Sequence, residues 1–257
     1  MSAEHLDLAI LGVVAVAVCL AACMQASIGF GMGMLAAPVV ALVAPELLPG
    51  TLIASATVVT LLVVIKDRAA LDLRGTGWAL VGRVPGTIAG ALLLVWLPER
   101  GLVLMLAAVV LGGVVLAALG WQPHPRRRVL ATAGAASGLL GTATSIGGPP
   151  MALVLSGPEN ARVRSNMSAF FLVGSLMSLG ALAATGNLHR DIAFAFVALI
   201  PAVVIGYAAS RYVNRLLDAP RLRTVSIVVS TLGAIALIGQ QFALLLSLIH
   251  ISEPTRL

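Results

Sequence analysis

The chain has 257 residues, of which 60% are hydrophobic and only 10% charged, with a mean hydropathy of +1.05. Soluble domains run at roughly 45–50% apolar and about 25% charged, so a soluble globular, disordered or disulfide-stapled secreted protein is excluded. The net charge of +6 does not indicate nucleic acid, because the basic residues sit in short loops between apolar runs, as cytoplasmic loops of membrane proteins do.

Taken in chain order, apolar runs occupy 6–24, 32–44, 50–65, 77–97, 101–120, 129–144, 149–156, 165–185, 192–210 and 224–246. A membrane-crossing helix needs about 20 mostly apolar residues, so these runs predict an all-α polytopic membrane protein forming one membrane domain over 1–257. Two pairs of runs are interrupted, the first by Gln25-Ala26-Ser27-Ile28-Gly29-Phe30-Gly31-Met32-Gly33 and the second by Thr142-Ala143-Thr144-Ser145-Ile146-Gly147-Gly148-Pro149-Pro150. Glycine costs about 1 kcal/mol in a helix interior and proline about 3, so both stretches break their helices. Backbone freed at membrane depth must be buried in protein or line a watery cavity.

The two breaks resemble each other. Ser27-Ile28-Gly29 returns as Ser145-Ile146-Gly147, and Pro85 with Gly90 returns as Pro201 with Gly206. In both halves a broken pair precedes three full runs, which predicts one repeat over 6–120 and a second over 129–246. If each broken pair enters and returns on one side, twelve basic residues (Lys66, Arg68, Arg74, Arg126, Arg127, Arg128, Arg162, Arg164, Arg211, Arg215, Arg221, Arg223) share a face. Only Arg100, Arg190 and Arg256 then lie on the other. If each pair is one kinked crossing, the split becomes eight to seven. The positive-inside rule favours returning pairs with both termini outside. Three full spans per half then invert the second repeat relative to the first, an arrangement found in transporters.

The first residues lack the basic start of a signal peptide, and Leu20-Ala21-Ala22-Cys23 has the look of a lipoprotein box without that start, so lipidation is not expected. Residues 247–257 read unlike the rest; the stretch from Ile249 to Arg256 resembles translated sequencing-adapter DNA and carries no functional argument. All ten acidic residues and all four histidines fall at termini or in loops. No membrane-embedded acid pair or histidine-activated serine is available, so an enzyme is not expected, nor a proton relay. No metal or cofactor motif occurs.

What remains is the chemistry of helix breaks. The second arm of a returning pair points its N-terminus, with free N–H groups, at the break, which suits an anion. Gln25, Ser27, Thr144 and Ser145 add hydrogen-bonding side chains; Gly29, Gly31, Gly33, Gly147 and Gly148 leave room for close approach. Pro149 suits a first helical turn. The alternative is that the glycines only let helices pack, as Gly82, Gly86, Gly90, Gly134 and Gly138 are expected to do. Arg83 is the one charge deep inside a run, Asp7 lying at the N-terminal edge of the first. It either faces an anion path or snorkels roughly 9 Å to the surface.

Gly29-Phe30-Gly31-Met32-Gly33 with Pro38, Gly50-Thr51, and the stretch from Gly138-Leu139-Leu140-Gly141 through Ser145-Ile146-Gly147-Gly148-Pro149-Pro150 resemble the glycine motifs of the TauE/SafE sulfite-exporter family, up to about residue 246. The resemblance implies a bacterial inner-membrane transporter exporting or exchanging a small sulfur oxyanion or organosulfonate. Its implied partners are that anion, membrane lipid and, left open, further copies of the chain in a homo-oligomer; no nucleic acid and no cofactor is implied. The competing reading is a membrane-embedded scaffold without transport activity.

Loop topology is directly testable. Cysteines placed in the 66–74, 121–128 and 211–223 loops should react only with reagent on the cytoplasmic side, and cysteines at positions 46 and 99 only from outside. A cytoplasmic position 46 would make the first broken pair a single crossing.

Overall fold

The computed structural model describes residues 8–71, 76–98, 124–155 and 160–216, with isolated positions between 101 and 115 and between 224 and 235. Among them every regular element is helical. In chain order these are α1 (Leu8–Ile28), α2 (Met32–Val43), α3 (Gly50–Lys66), α4 (Thr76–Trp96), α5 (Arg127–Thr144), α6 (Gly148–Val154), α7 (Asn160–Ala184) and α8 (Arg190–Leu216). The expected runs at 101–120 and 224–246 lie outside the described residues except at isolated positions, and the 247–257 tail lies wholly outside.

Among the described residues four helices are long and apolar enough to cross a membrane: Ala9–Ile28, Thr76–Trp96, Ala161–Ala184 and Arg190–Arg215. This is a multi-pass membrane protein. The first of the four lies in α1, the first arm of the first broken pair. Its 21 residues reach about 31 Å, enough to cross a bilayer core alone. By contrast, α2 has 12 residues and α3 has 17, so α3 sits at the lower limit for a span. Both breaks occur where composition placed them but are shorter, because helix continues through Gln25–Ile28, through Thr142–Thr144 and from Gly148 onward.

The main packing pairs are α4 with α5, α1 with α8 and α3 with α7, followed by α1 with α2, α4 with α7 and α3 with α8. The first two pairs are built on glycine. Gly82 and Gly86 of α4 lie against the carbonyls of Ala131 and Ala135 on α5, and Gly134 of α5 lies against that of Ala79. On the other side of the bundle, Gly206 of α8 lies against the carbonyl of Cys19 on α1. In lipid there is little hydrophobic drive between helices, so association rests on such close backbone contact. The outward faces stay apolar, with Val16 62%, Val81 61% and Ile205 60% exposed, as lipid contact requires.

Any Cβ on these glycines would overlap the facing backbone, and a carbonyl cannot swing aside as a side chain does. Gly86→Ala should therefore lower stability in detergent by about 1–3 kcal/mol, the usual cost of overpacking. Gly12, which has nothing within 4 Å of the built Cβ, is the control. Gly12→Ala should be neutral or gain up to about 1 kcal/mol of helix propensity. Thermal unfolding of both variants reads the difference.

Candidate functional site

The first break turns through residues that only glycine serves easily. Gly29 has φ 90° and Gly31 φ 123°, left-handed values that a Cβ would strain. Gln25, one turn back in α1, bridges the gap. Its Oε1 accepts the Met32 N–H at 2.8 Å, satisfying the first amide of α2. Its Nε2 donates to the Ala56 carbonyl at 3.4 Å, pinning the break to α3.

The second break uses Ser145 in the left-handed region, φ 64°. The Ser145 N–H still closes the last turn of α5 on the Gly141 carbonyl at 3.0 Å, and Ser145 Oγ donates to the Pro49 carbonyl at 3.0 Å. Thr144 Oγ1 accepts the Ile146 N–H at 3.3 Å and donates to the Leu140 carbonyl at 2.7 Å. Pro149 takes the first turn of α6, where a missing N–H is harmless.

The two breaks meet. Gly33 lies against the Ser145 carbonyl so closely that no side chain fits. Between them is a cavity of about 40 Å³, bounded also by α3, α4 and α7. One water needs about 10–15 Å³, so this is room for a few waters or one small ion. Of the residues expected at the site, Gln25, Gly31, Gly33, Arg83, Ser145, Gly147 and Gly148 line this cavity. Ser27, Gly29, Thr144 and Pro149 are not in its wall. Ser27 Oγ instead donates to the Cys23 carbonyl at 2.8 Å, and Gly29 packs on the backbone of Arg164. Space beside several glycines is also filled by protein: Gly147 faces the Ser137 carbonyl and Gly148 faces the Phe30 ring. These glycines bring the breaks together rather than leave gaps of their own.

Arg83 is buried, with 3% exposure, which removes the snorkelling alternative. Gly138 and Gly141 on α5 leave room beside its side chain, and Gly174 on α7 leaves the slot that its guanidinium fills. Phe170 and Phe171 flank the guanidinium, ring centroids 4.7 and 5.4 Å from Cζ. Its Nη1 donates to Ser137 Oγ at 3.2 Å, and Ser137 Oγ donates to the Gly147 carbonyl at 2.7 Å, tying the cation to the second break. Nε has no hydrogen-bond partner. Among the described residues no carboxylate pairs with it; the one ion pair there joins Arg164 to Asp67 at 2.7 Å.

Sequence reasoning missed the α3 and α7 walls, including Ala56, Phe171, Ser175 and Ser178. A signal was present. Thr57 and Thr60 on α3 recur as Ser175 and Ser178 on α7 at the same separation as Ser27 and Ser145. Thr57 Oγ1 donates to Ser175 Oγ at 2.8 Å across that separation of 118 residues, and Ser178 shares a 2.8 Å bond with Thr142.

Neither a curated protein nor a solved structure matches the chain. A family model does: sulfite exporter TauE/SafE, over residues 14–237. That match takes in both breaks, Arg83 and the hydroxyl pairs of α3 and α7, so the chain belongs to the TauE/SafE sulfite exporter family.

Proposed function

We propose that the chain is a uniporter for a small sulfur oxyanion or organosulfonate in the bacterial inner membrane, binding its substrate in the cavity between the two helix breaks. The observation that carries this reading is Arg83: a cation buried in the membrane interior, on the wall of that cavity, without a counter-charge among the described residues. Ionisable groups inside membranes are expensive and mark ligand or ion paths. Glycine packing alone, the scaffold reading, gives no reason for such a group at a cavity.

The inverted-repeat organisation is part of the proposal, and two contacts support it. Helices α3 and α7 are equivalent under the separation of 118 residues, and their midpoints meet at Thr57–Ser175. Arg164 Nε, in the first turns of α7, donates to Asp67 Oδ2 just past the end of α3 at 2.7 Å. Middle meets middle and end meets start, so the equivalent helices run antiparallel, as inversion requires. The same ion pair supports returning broken pairs. A single kinked crossing per pair would put the 66–74 and 162–164 loops on opposite membrane faces, about 30 Å apart.

Apart from Asp7 at the edge of the first, no apolar run holds an acid or histidine to carry a proton. Export can run on membrane potential, worth about 2.3 kcal/mol per charge per 100 mV.

Sulfite flux in proteoliposomes tests the site. Arg83→Gln should lose about 1.5–3 kcal/mol of substrate interaction, roughly tenfold to a hundredfold in flux at low substrate. Arg83→Lys keeps the charge without the planar fork and should fall between. Ser27→Ala should transport like the parent, because that hydroxyl is engaged by its own helix. Undiminished flux in Arg83→Gln would place the site elsewhere.

A further inference from the structure

We infer that the cavity accepts its anion singly charged, so that sulfite passes as hydrogen sulfite and a permanent dianion such as sulfate is rejected. This rests on the transporter reading above and deepens it by charge balance. Among the described residues Arg83 is the only charged side chain in the cavity wall. No other helix around it supplies a second charge from its described residues. Helices α2 and α6 contain no ionisable residue, and α1 contributes only Cys19 and Cys23 within its described length. Lys66 ends α3, Arg127 and Arg128 begin α5, and Arg162 and Arg164 lie in the first turns of α7. On α8 the groups are Arg190, Asp191, Tyr207, Arg211, Tyr212 and Arg215. None of these lines the cavity. The runs at 101–120 and 224–246 contain no Asp, Glu, His, Lys or Arg either, so no such side chain from them can add a charge.

One guanidinium neutralises one negative charge. A monoanion beside it makes a net-neutral pair in a buried site, and Nε brings a donor that no protein group engages. A dianion adds a second buried charge with no ionic partner, faced only by the partial charges of the helix N-termini, and a buried charge without a counter-ion is the situation protein interiors avoid most strongly. The hydroxyls cannot make up the deficit, because they carry dipoles and not charge. Ser145, Ser175 and Ser178 already donate to the carbonyls of Pro49, Leu172 and Gly174. Hydrogen sulfite loses its proton near neutral pH, so the anion itself provides the test.

Protein-dependent sulfite flux is measured in proteoliposomes at fixed total sulfite and equal pH on both sides, with protein-free liposomes subtracted. Flux should follow the hydrogen sulfite fraction, falling about tenfold per pH unit above its ionisation. Sulfate should not move. At one fixed pH, the potential that stops net flux against a known sulfite gradient should correspond to one charge per sulfite, a reading independent of any titration of the protein. Flux that holds or rises with pH, two charges per sulfite, or sulfate moving at a comparable rate would each overturn the monoanion inference while leaving the transporter reading intact. No protein-dependent flux of sulfite at any pH would remove the transporter reading, and this inference with it.

Discussion

A guanidinium buried inside the membrane domain, with no carboxylate pairing with it among the described residues, is the constraint on which this architecture turns. Moving such an ion from water to a medium of low dielectric costs ideally about 20 kcal/mol, and several kcal/mol even after relaxation. Arg83 is kept there by partial compensation from two helices and the second break. Two phenylalanine faces come from α7, a hydroxyl from Ser137 on α5, and that hydroxyl is itself anchored on the Gly147 carbonyl at the second break. Cation–π contacts of this kind contribute about 2 kcal/mol or more when desolvated. The sum stabilises the charge in place but does not neutralise it, which is what an anion site needs when empty.

Glycine makes this placement feasible. Gly82 and Gly86 draw α4 onto α5 until backbone touches backbone, Gly174 opens the slot for the guanidinium, and Gly33 lets the two breaks touch. Each removes a side chain where a second chain segment must pass. The packing and binding readings of the glycine motifs are therefore not rivals: close packing shapes the small cavity and carries the cation to it. The Gln25 amide serves the same end, capping α2 and holding its start against α3.

Much of this was legible in the sequence because the relevant signals are local. Gly29 and Gly31, and the Gly147–Pro150 stretch, break helices by backbone chemistry alone, and both breaks fell where composition placed them. The seam role of Gly82, Gly86 and Gly134 followed from spacing on a helix face. Less legible were the features set by three-dimensional neighbours. Whether Arg83 snorkels or turns inward depends on the slot at Gly174, a residue 91 positions away in the chain. Ser27 has the same local sequence as Ser145, yet it bonds within its own helix while Ser145 reaches Pro49.

Equilibrium binding is the most direct measurement of whether the buried cation and the paired breaks form one anion site. Purified protein in detergent should bind labelled sulfite saturably, one per chain, and Arg83→Gln should lose that binding while keeping the parent's helical circular dichroism and elution volume. Unchanged sulfite binding by a folded Arg83→Gln protein would contradict it.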